Sequence, residues 1–166
     1  MMAGFYGVYH GAQGIREIAE GIHGKAVYLS EMLQAYGYNQ ENAEFFDTLK
    51  ITRDEEGWID DLRDLAEEKG INLYYDPQGW VGLSIDETVD GCDMNDLIEI
   101  FADASDNMAQ LEDSDEAFEG LWAIDESRVR ELDYMQAPVF QLYHTETELM
   151  RYIKRLDRKD ISWLRR

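Results

Sequence analysis

The sequence predicts an α/β (α+β) fold in which a three-stranded, mainly antiparallel sheet is covered by helices on one face. Two observations lead to this prediction. Apolar residues recur at intervals of three and four over six turns between Ile15 and Tyr36, which indicates an amphipathic helix. Further along, two strand-like runs flank the tetrapeptide DPQG at 76–79. This tetrapeptide favours a hairpin, because proline presets the turn torsion and glycine takes the left-handed position.

The elements follow one another in the order α-β-α-β-β-α. The first helix is expected to end at Gly37, since glycine readily adopts the left-handed conformation found after a helix. Residues 44–52 predict a strand with Leu49 and Ile51 on its inner face. Residues 54–69 predict the second helix, and the hairpin strands are expected at 71–75 and 80–85.

A third helix follows the hairpin, with Asp93 as its expected N-cap and Asp96 three residues later completing a capping box. The remainder predicts an acidic linker, a short helix over 126–134 and a last helix from Thr145 to about residue 157. We therefore divide the chain into a small α/β domain, 1–105, and an acidic linker with a helical connector, 106–166. The predicted core consists of Ile18, Ile22, Leu29, Leu33, Leu49, Ile51, Leu62, Leu65, Leu83, Ile85, Leu97 and Phe101.

Composition excludes several classes of partner. The 166 residues are 45% hydrophobic, enough for a core, and carry a formal net charge of −21. Such a charge repels phosphates, so nucleic acid and anionic membranes are not expected as partners. No apolar run approaches the roughly 18 residues of a membrane span, and the start has no signal-peptide pattern. The lone Cys92 excludes an internal disulfide and suits a reducing compartment, so we expect a cytoplasmic protein.

Charge is distributed unevenly toward the end of the chain. Nine acidic residues and no Lys or Arg lie between Asp103 and Glu126, whereas from Arg151 onward seven basic residues face two acidic ones. Folded domains seldom end on an amphipathic basic segment unless something packs there. We therefore expect a fragment of a longer protein.

Two segments carry a resemblance to a known family. Residues 138–162, PVFQLYHTETELMRYIKRLDRKDIS, resemble P-V-F-N-x-Y-H-S-E-T-E-M-x-R-Y near the middle of the glycine cleavage system P-protein; Gln141, Thr145 and Leu149 replace the family's Asn, Ser and Met. Residues 5–19, FYGVYHGAQGIREIA, resemble its M-Y-A-V-Y-H-G-P-x-G-L-x-x-I-A. FFDTL, GINL and VGLSIDET follow in the family's order. The match covers nearly the whole chain but under a fifth of a typical full-length enzyme.

The resemblance implies a particular place in a larger enzyme. The chain would be the small C-terminal-type domain of a fold-type I pyridoxal-phosphate enzyme, taken from the half that lacks the Schiff-base lysine, with the connector to the catalytic half. The parent would be an oxidoreductase of glycine catabolism. It would decarboxylate glycine with pyridoxal phosphate and pass the aminomethyl group to the lipoyl arm of the H-protein. The catalytic half and the lipoylated H-protein are thus its implied partners.

The chain itself is expected to be inactive. A pyridoxal-phosphate enzyme needs a Schiff-base lysine and a phosphate cradle. None of the five lysines stands in the family's His-Lys-Thr context, and no glycine-rich phosphate loop occurs. We therefore predict no catalytic and no cofactor-binding residue here. The lysines are Lys25, Lys50, Lys69, Lys154 and Lys159.

His144 is the most notable histidine, because Thr145 and Glu148 follow it in a capping-box pattern. It either packs locally or, as the resemblance implies, lies at the junction of the two halves near the active site. His144, Glu146 and Arg151 are accordingly the candidate inter-half or active-site-edge contacts. His10, in the turn into the first helix, and His23, beside its apolar stripe, are expected to be ordinary.

No metal site is predicted. No His pair has i, i+4 spacing and Cys92 has no nearby ligand partner, which argues against a transition metal. Residues 86–91 match four positions of an EF-hand loop, but position twelve is Leu97 and the segment follows a strand. Residues 112–116, EDSDE, lack the required glycine and the terminal acid.

Two functions of different classes fit these observations. The chain is a piece of a glycine-decarboxylating P-protein, or it is a free-standing acidic α/β interaction module without catalysis. In either case, attraction between the basic tail of one copy and the acidic 103–126 stretch of another makes a homodimer possible.

Overall fold

The computed structural model describes residues 2–111 and 115–159. Within these residues, three short 3₁₀ turns accompany the regular elements, at Asp115–Phe118, Glu126–Arg128 and Pro138–Phe140. In chain order the elements are α1 (Met2–Ala35), β1 (Asn39–Gln40), β2 (Thr48–Thr52), α2 (Trp58–Glu68), β3 (Tyr74–Asp76), β4 (Trp80–Ser84), α3 (Gly91–Asp103) and α4 (Glu146–Asp157). The described residues separate into two units: the sheet unit, Ile18–Val129, and the terminal unit, which combines residues 2–17 with 130–159.

The sheet unit contains a four-stranded sheet of order β1-β2-β4-β3, in which every neighbouring pair is antiparallel. The predicted α+β class with an antiparallel sheet is confirmed. The strand count differs by one, since Asn39 and Gln40 pair with Thr52 and Ile51 to form β1. A two-residue strand has no periodicity from which it could be predicted.

The core lies between one face of this sheet and the helices of the same unit. Leu49 pairs with Leu83, and Ile51 with Val81; all four side chains are buried, whereas Thr48 is exposed. The predicted strand register is therefore confirmed. Of the twelve predicted core residues, Ile22, Leu65 and Leu97 are only partly buried against this core, and Ile18 lies outside it. The remaining eight are buried.

Helix α1 is longer than predicted. It begins at Met2 and leaves helical geometry at Gly11, with φ 66° and ψ −172°, so His10 lies in a helical segment and not in a turn. Its C-terminus agrees with the prediction. Gly37 has φ 86°, and the N–H groups of Gly37 and Tyr38 donate to the carbonyls of Gln34 and Leu33 at 3.1 and 3.0 Å, the paired bonds of a Schellman motif.

Other predicted boundaries need correction. Helix α2 begins at Trp58, after Gly57 in the left-handed conformation, and not at residue 54. The N-cap of α3 is Asp90, not Asp93. The Asp-x-x-Asp pattern occurs twice, at 90–93 and at 93–96, and the helix begins after the first aspartate of the first pattern. The predicted helix over 126–134 is wrong: Glu126–Arg128 form a 3₁₀ turn and Val129 is extended.

The last helix, α4, is confirmed with Thr145 as its N-cap. The Glu148 N–H donates to Thr145 Oγ1 at 3.3 Å, while the Thr145 hydroxyl donates to the Glu148 carboxylate at 3.1 Å. The division of the chain at residue 105 stays a prediction about which segment folds independently.

Candidate functional site

The candidate site residue His144 lies at the break in α1. Because helical geometry is lost at Gly11, carbonyls near the break need other hydrogen-bond donors. His144 Nδ1 lies 2.6 Å from the Tyr9 carbonyl oxygen, and the Tyr134 hydroxyl donates to the Ala12 carbonyl at 2.8 Å. A carbonyl oxygen can only accept, so Nδ1 carries the proton and Nε2 is the ring's other hydrogen-bonding atom. His144 thus holds this backbone break within the terminal unit.

An aromatic and cationic cluster joins Tyr143, which precedes His144, to residues of α4 and α1. The rings of Tyr143 and Tyr152 stack with centroids 4.4 Å apart, and Phe5 meets Tyr152 edge-on at 6.5 Å. The Arg155 guanidinium lies over both tyrosine rings and donates a hydrogen bond to the Tyr143 hydroxyl. These contacts fix α4 within the terminal unit through ring faces.

The other two candidate residues, Glu146 and Arg151, are exposed on α4. Within the described part of the chain, no hydrogen bond or ion pair joins either of them to His144. The structure therefore gives the three residues no common chemistry, and their role as inter-half contacts stays a prediction.

A groove of about 780 Å³ lies on the sheet unit, between Thr48 and Ser84 of the sheet, the 69–73 loop and the first turns of α3. Lys69 lines it, with its ammonium 2.9 Å from the Asp96 carboxylate and 2.5 Å from that of Glu99. These hydrogen bonds, the one to Glu99 above all, raise the pKa of Lys69. A Schiff-base lysine needs a neutral, nucleophilic amine. The two carboxylates thus hold Lys69 as a charged ammonium, which is not the form that attacks an aldehyde.

The other lysines also have structural environments. Lys25 donates to the Val89 carbonyl, Lys50 lies 5.1 Å from the centroid of Trp80, and Lys154 is 2.7 Å from the Asp157 carboxylate. Lys159, in the turn after α4, is exposed.

His23, expected to be ordinary, is fully buried and uses both ring nitrogens. Nδ1 lies 2.8 Å from the Phe46 carbonyl oxygen, and Nε2 accepts the Ala123 N–H at 3.0 Å. Its ring stacks on Phe46 and meets Trp122 edge-on at 4.7 Å. The partners lie 23 and 100 residues away in sequence, so local spacing gave no indication of this arrangement.

Two further features concern the described part of the chain, residues 2–111 and 115–159: metal-binding clusters and membrane-spanning helices. In that part of the chain, no three His, Cys, Asp or Glu side chains are grouped as a metal ion would require. No helix there combines the length and apolar character needed to cross a bilayer.

Comparison with known proteins gives a consistent result. A family model of the glycine cleavage system P-protein matches residues 1–101. The chain is 48% identical over 162 residues to a glycine dehydrogenase (decarboxylating) of Bacteroides thetaiotaomicron. The matched residues make up 97% of this chain and 17% of that relative. The enzyme of the same name from Bacteroides fragilis is 46% identical with the same coverage. That of a Nostoc species is 38% identical over 164 residues, with 98% and 17% coverage. The chain thus spans about a sixth of the length of these curated relatives.

Proposed function

The chain belongs to the glycine cleavage system P-protein family, and we propose that it acts as a non-catalytic segment of a glycine dehydrogenase (decarboxylating). The observation that carries this proposal is the coverage. Nearly all of this chain matches the Bacteroides thetaiotaomicron enzyme at 48% identity, yet the match takes up 17% of that enzyme. Most of the relative's sequence therefore lies outside the matched part, and the proposal assigns the catalytic lysine to that remainder.

In this proposal the chemistry belongs to the catalytic half of the parent protein. Pyridoxal phosphate bound there would supply the electron sink for glycine decarboxylation. The aminomethyl group would pass to the lipoyl arm of the H-protein, and the location would be cytoplasmic. The structural environment of Lys25, Lys50, Lys69 and Lys154 supports a role without covalent catalysis for this chain.

The proposed contact with the catalytic half is made by α4 and the residues just before it. No residue of α4 is fully buried, although Leu149, Ile153 and Leu156 form an apolar stripe along it. An apolar stripe that is only half covered is typical of a surface that packs against a partner. Glu146 and Arg151 are exposed on the same helix, and in this proposal they form the rim of the surface, with His144 at its start.

Reductive trapping tests the absence of catalytic chemistry. Incubation of the chain with pyridoxal phosphate, followed by borohydride, should leave no specific adduct in a mass spectrum. Stoichiometric labelling of one lysine would contradict the proposal.

A chimera tests the proposed parent. This chain replaces the matched 162 residues of the Bacteroides thetaiotaomicron enzyme, and glycine decarboxylation is measured with lipoylated H-protein. We expect an active chimera, and an Arg151→Glu chimera with lower activity. Glu68→Lys, a charge reversal at an exposed residue of α2, is the matched control and should have no effect. A folded but inactive chimera would favour the free-standing interaction module.

A further inference from the structure

Residues 115–123 form a segment that crosses α1 within the sheet unit, and we propose that this segment is a detachable acidic strap, held closed by His23 and Gly24 and loosened by charge repulsion. The strap begins with the 3₁₀ turn Asp115–Phe118. Its contacts with α1 gather at Phe118 and at the Trp122–Ala123 pair. Glu119, Gly120, Trp122 and Ala123 are exposed, and a short exposed segment is of the kind that opens locally without global unfolding.

His23 holds the end of the strap through a fixed tautomer. The Phe46 carbonyl can only accept and the Ala123 N–H can only donate, so Nδ1 carries the proton and Nε2 is bare. Because His23 is fully buried, no water replaces either bond without an opening of the strap. Closure of the strap therefore requires the Nδ1–H form of this ring.

Gly24 holds the middle of the strap through close backbone contact. A Cβ atom at this position would lie 2.2 Å from the Phe118 carbonyl oxygen and 3.3 Å from its carbon. The neighbouring Phe118 ring is buried and meets Tyr28 at 5.0 Å. The backbone of the strap thus lies where any side chain at residue 24 would have to be. A Cβ atom added at Gly21, one turn earlier on α1, would meet nothing within 4 Å.

Charge opposes closure. Residues 18–129 carry 29 of the 36 acidic residues and six of the 15 basic ones, a formal charge of −23. Between residues 115 and 126 there are five acids and no Lys or Arg. Repulsion of this size works against compact states and is screened by salt, with a screening length of about 10 Å at 0.1 M and about 3 Å at 1 M. Salt should therefore keep the strap closed.

Amide hydrogen exchange of residues 117–123, at constant pH, tests the proposal. Gly24→Ala should accelerate exchange there about tenfold or more, because the strap cannot lie against the new methyl group, while exchange in the sheet strands stays unchanged. His23→Leu should act in the same direction. Gly21→Ala is the matched control and should leave strap exchange at the wild-type rate. In the wild type, exchange should slow as salt rises from low concentration to about 1 M.

Nitrogen-15 spectra of the histidine rings provide a second measurement. With only His10, His23 and His144 in the chain, single substitutions assign each ring, and His23 should show the neutral Nδ1–H pattern. The proposal is overturned if His23 is the Nε2–H tautomer, if Gly24→Ala and Gly21→Ala exchange alike, or if salt leaves exchange unchanged or speeds it.

Discussion

The imidazole of His144 lies so close to Gly11 that a methyl group on Gly11 would come within 2.8 Å of His144 Cε1 and within 2.8 Å of the Phe140 carbonyl oxygen. The two residues are 133 positions apart in sequence, yet each constrains the other. Gly11 has φ 66° and ψ −172°, a region open essentially to glycine alone. The conformation of Gly11 leaves room for the His144 ring, whose Nδ1 in turn bonds the carbonyl of Tyr9.

Gly11→Ala should therefore destabilise the terminal unit. Backbone strain alone costs about 1–3 kcal/mol, and displacement of His144 adds to it. Gly4→Ala is the matched control, since it lies on the same helix with no atom within 4 Å of the added Cβ. That control should be neutral or stabilising by up to about 1 kcal/mol. Urea unfolding measures both variants, and equal free energies of unfolding would show that the break at Gly11 is not required.

Asp90→Ala should cost about 0.5–2 kcal/mol of unfolding free energy, because the Asp90 carboxylate caps α3. Its Oδ1 accepts the N–H groups of Cys92 and Asp93 at 2.8 and 3.0 Å. The Asp93 carboxylate returns one bond to the Asp90 N–H, so Asp93→Ala should cost less. Thermal unfolding measures both variants. A larger loss for Asp93→Ala than for Asp90→Ala would make Asp93 the N-cap, as the sequence predicted.

Alkaline pH should destabilise the sheet unit in part through Tyr38. Burial raises the pKa of the Tyr38 phenol above its ordinary value, against the opposing influence of Arg53. A group whose pKa is raised on folding contributes stability that is complete below its unfolded pKa, about 10, and is lost as pH rises through the folded pKa. Through Tyr38, the free energy of unfolding falls by at most about 1.4 kcal/mol for each unit by which the pH rises.

Tyr38→Phe removes this titration together with the hydrogen bond to the Phe101 carbonyl at 3.0 Å. The variant should be less stable at pH 8 but should lose stability less steeply between pH 10 and 11. The raised pKa values of Lys69 and Tyr75 give both proteins a common slope of the same sign. Urea unfolding at each pH would refute the assignment if the two stability curves ran parallel.

Local pattern predicted the parts of this fold that depend on local physics. Leu49 and Ile51 alternate with polar residues, so the buried face of their strand could be predicted. The hairpin could be predicted from its turn, in which the Gly79 N–H donates to the Asp76 carbonyl at 3.0 Å. The N-cap of α3 could not be settled, since two overlapping Asp-x-x-Asp patterns are equivalent until packing decides between them.

The part that escaped prediction depends on distant partners. The role of His23 is set by Phe46 and by Ala123, and that of His144 by Gly11, through separations that no periodicity reports. The sequence drew attention to His144, but the contact that it makes, with the Tyr9 carbonyl, is visible only in the fold.

The surfaces that favour self-association differ sharply in charge. On and just beyond α4, Arg151, Lys154, Arg155, Arg158 and Lys159 are exposed. The sheet unit carries a formal charge of −23, with exposed acids such as Asp103 and Glu126. Opposite charges on two copies attract over a distance that salt shortens to about 3 Å at 1 M.

We predict a dimer that forms with rising protein concentration and dissociates as salt approaches about 1 M. Arg151→Glu with Lys159→Glu should abolish it, because the two changes lower the summed charge of the five basic residues from +5 to +1. A second double variant, Asp103→Lys with Glu126→Lys, puts two positive charges into the acidic stretch and should also be monomeric by itself. Since the two variants are complementary, their equimolar mixture should dimerise again. Sedimentation equilibrium at low salt measures all four samples. A wild type that stays monomeric at high concentration, or a mixture that does not associate, would refute the proposed charge pairing.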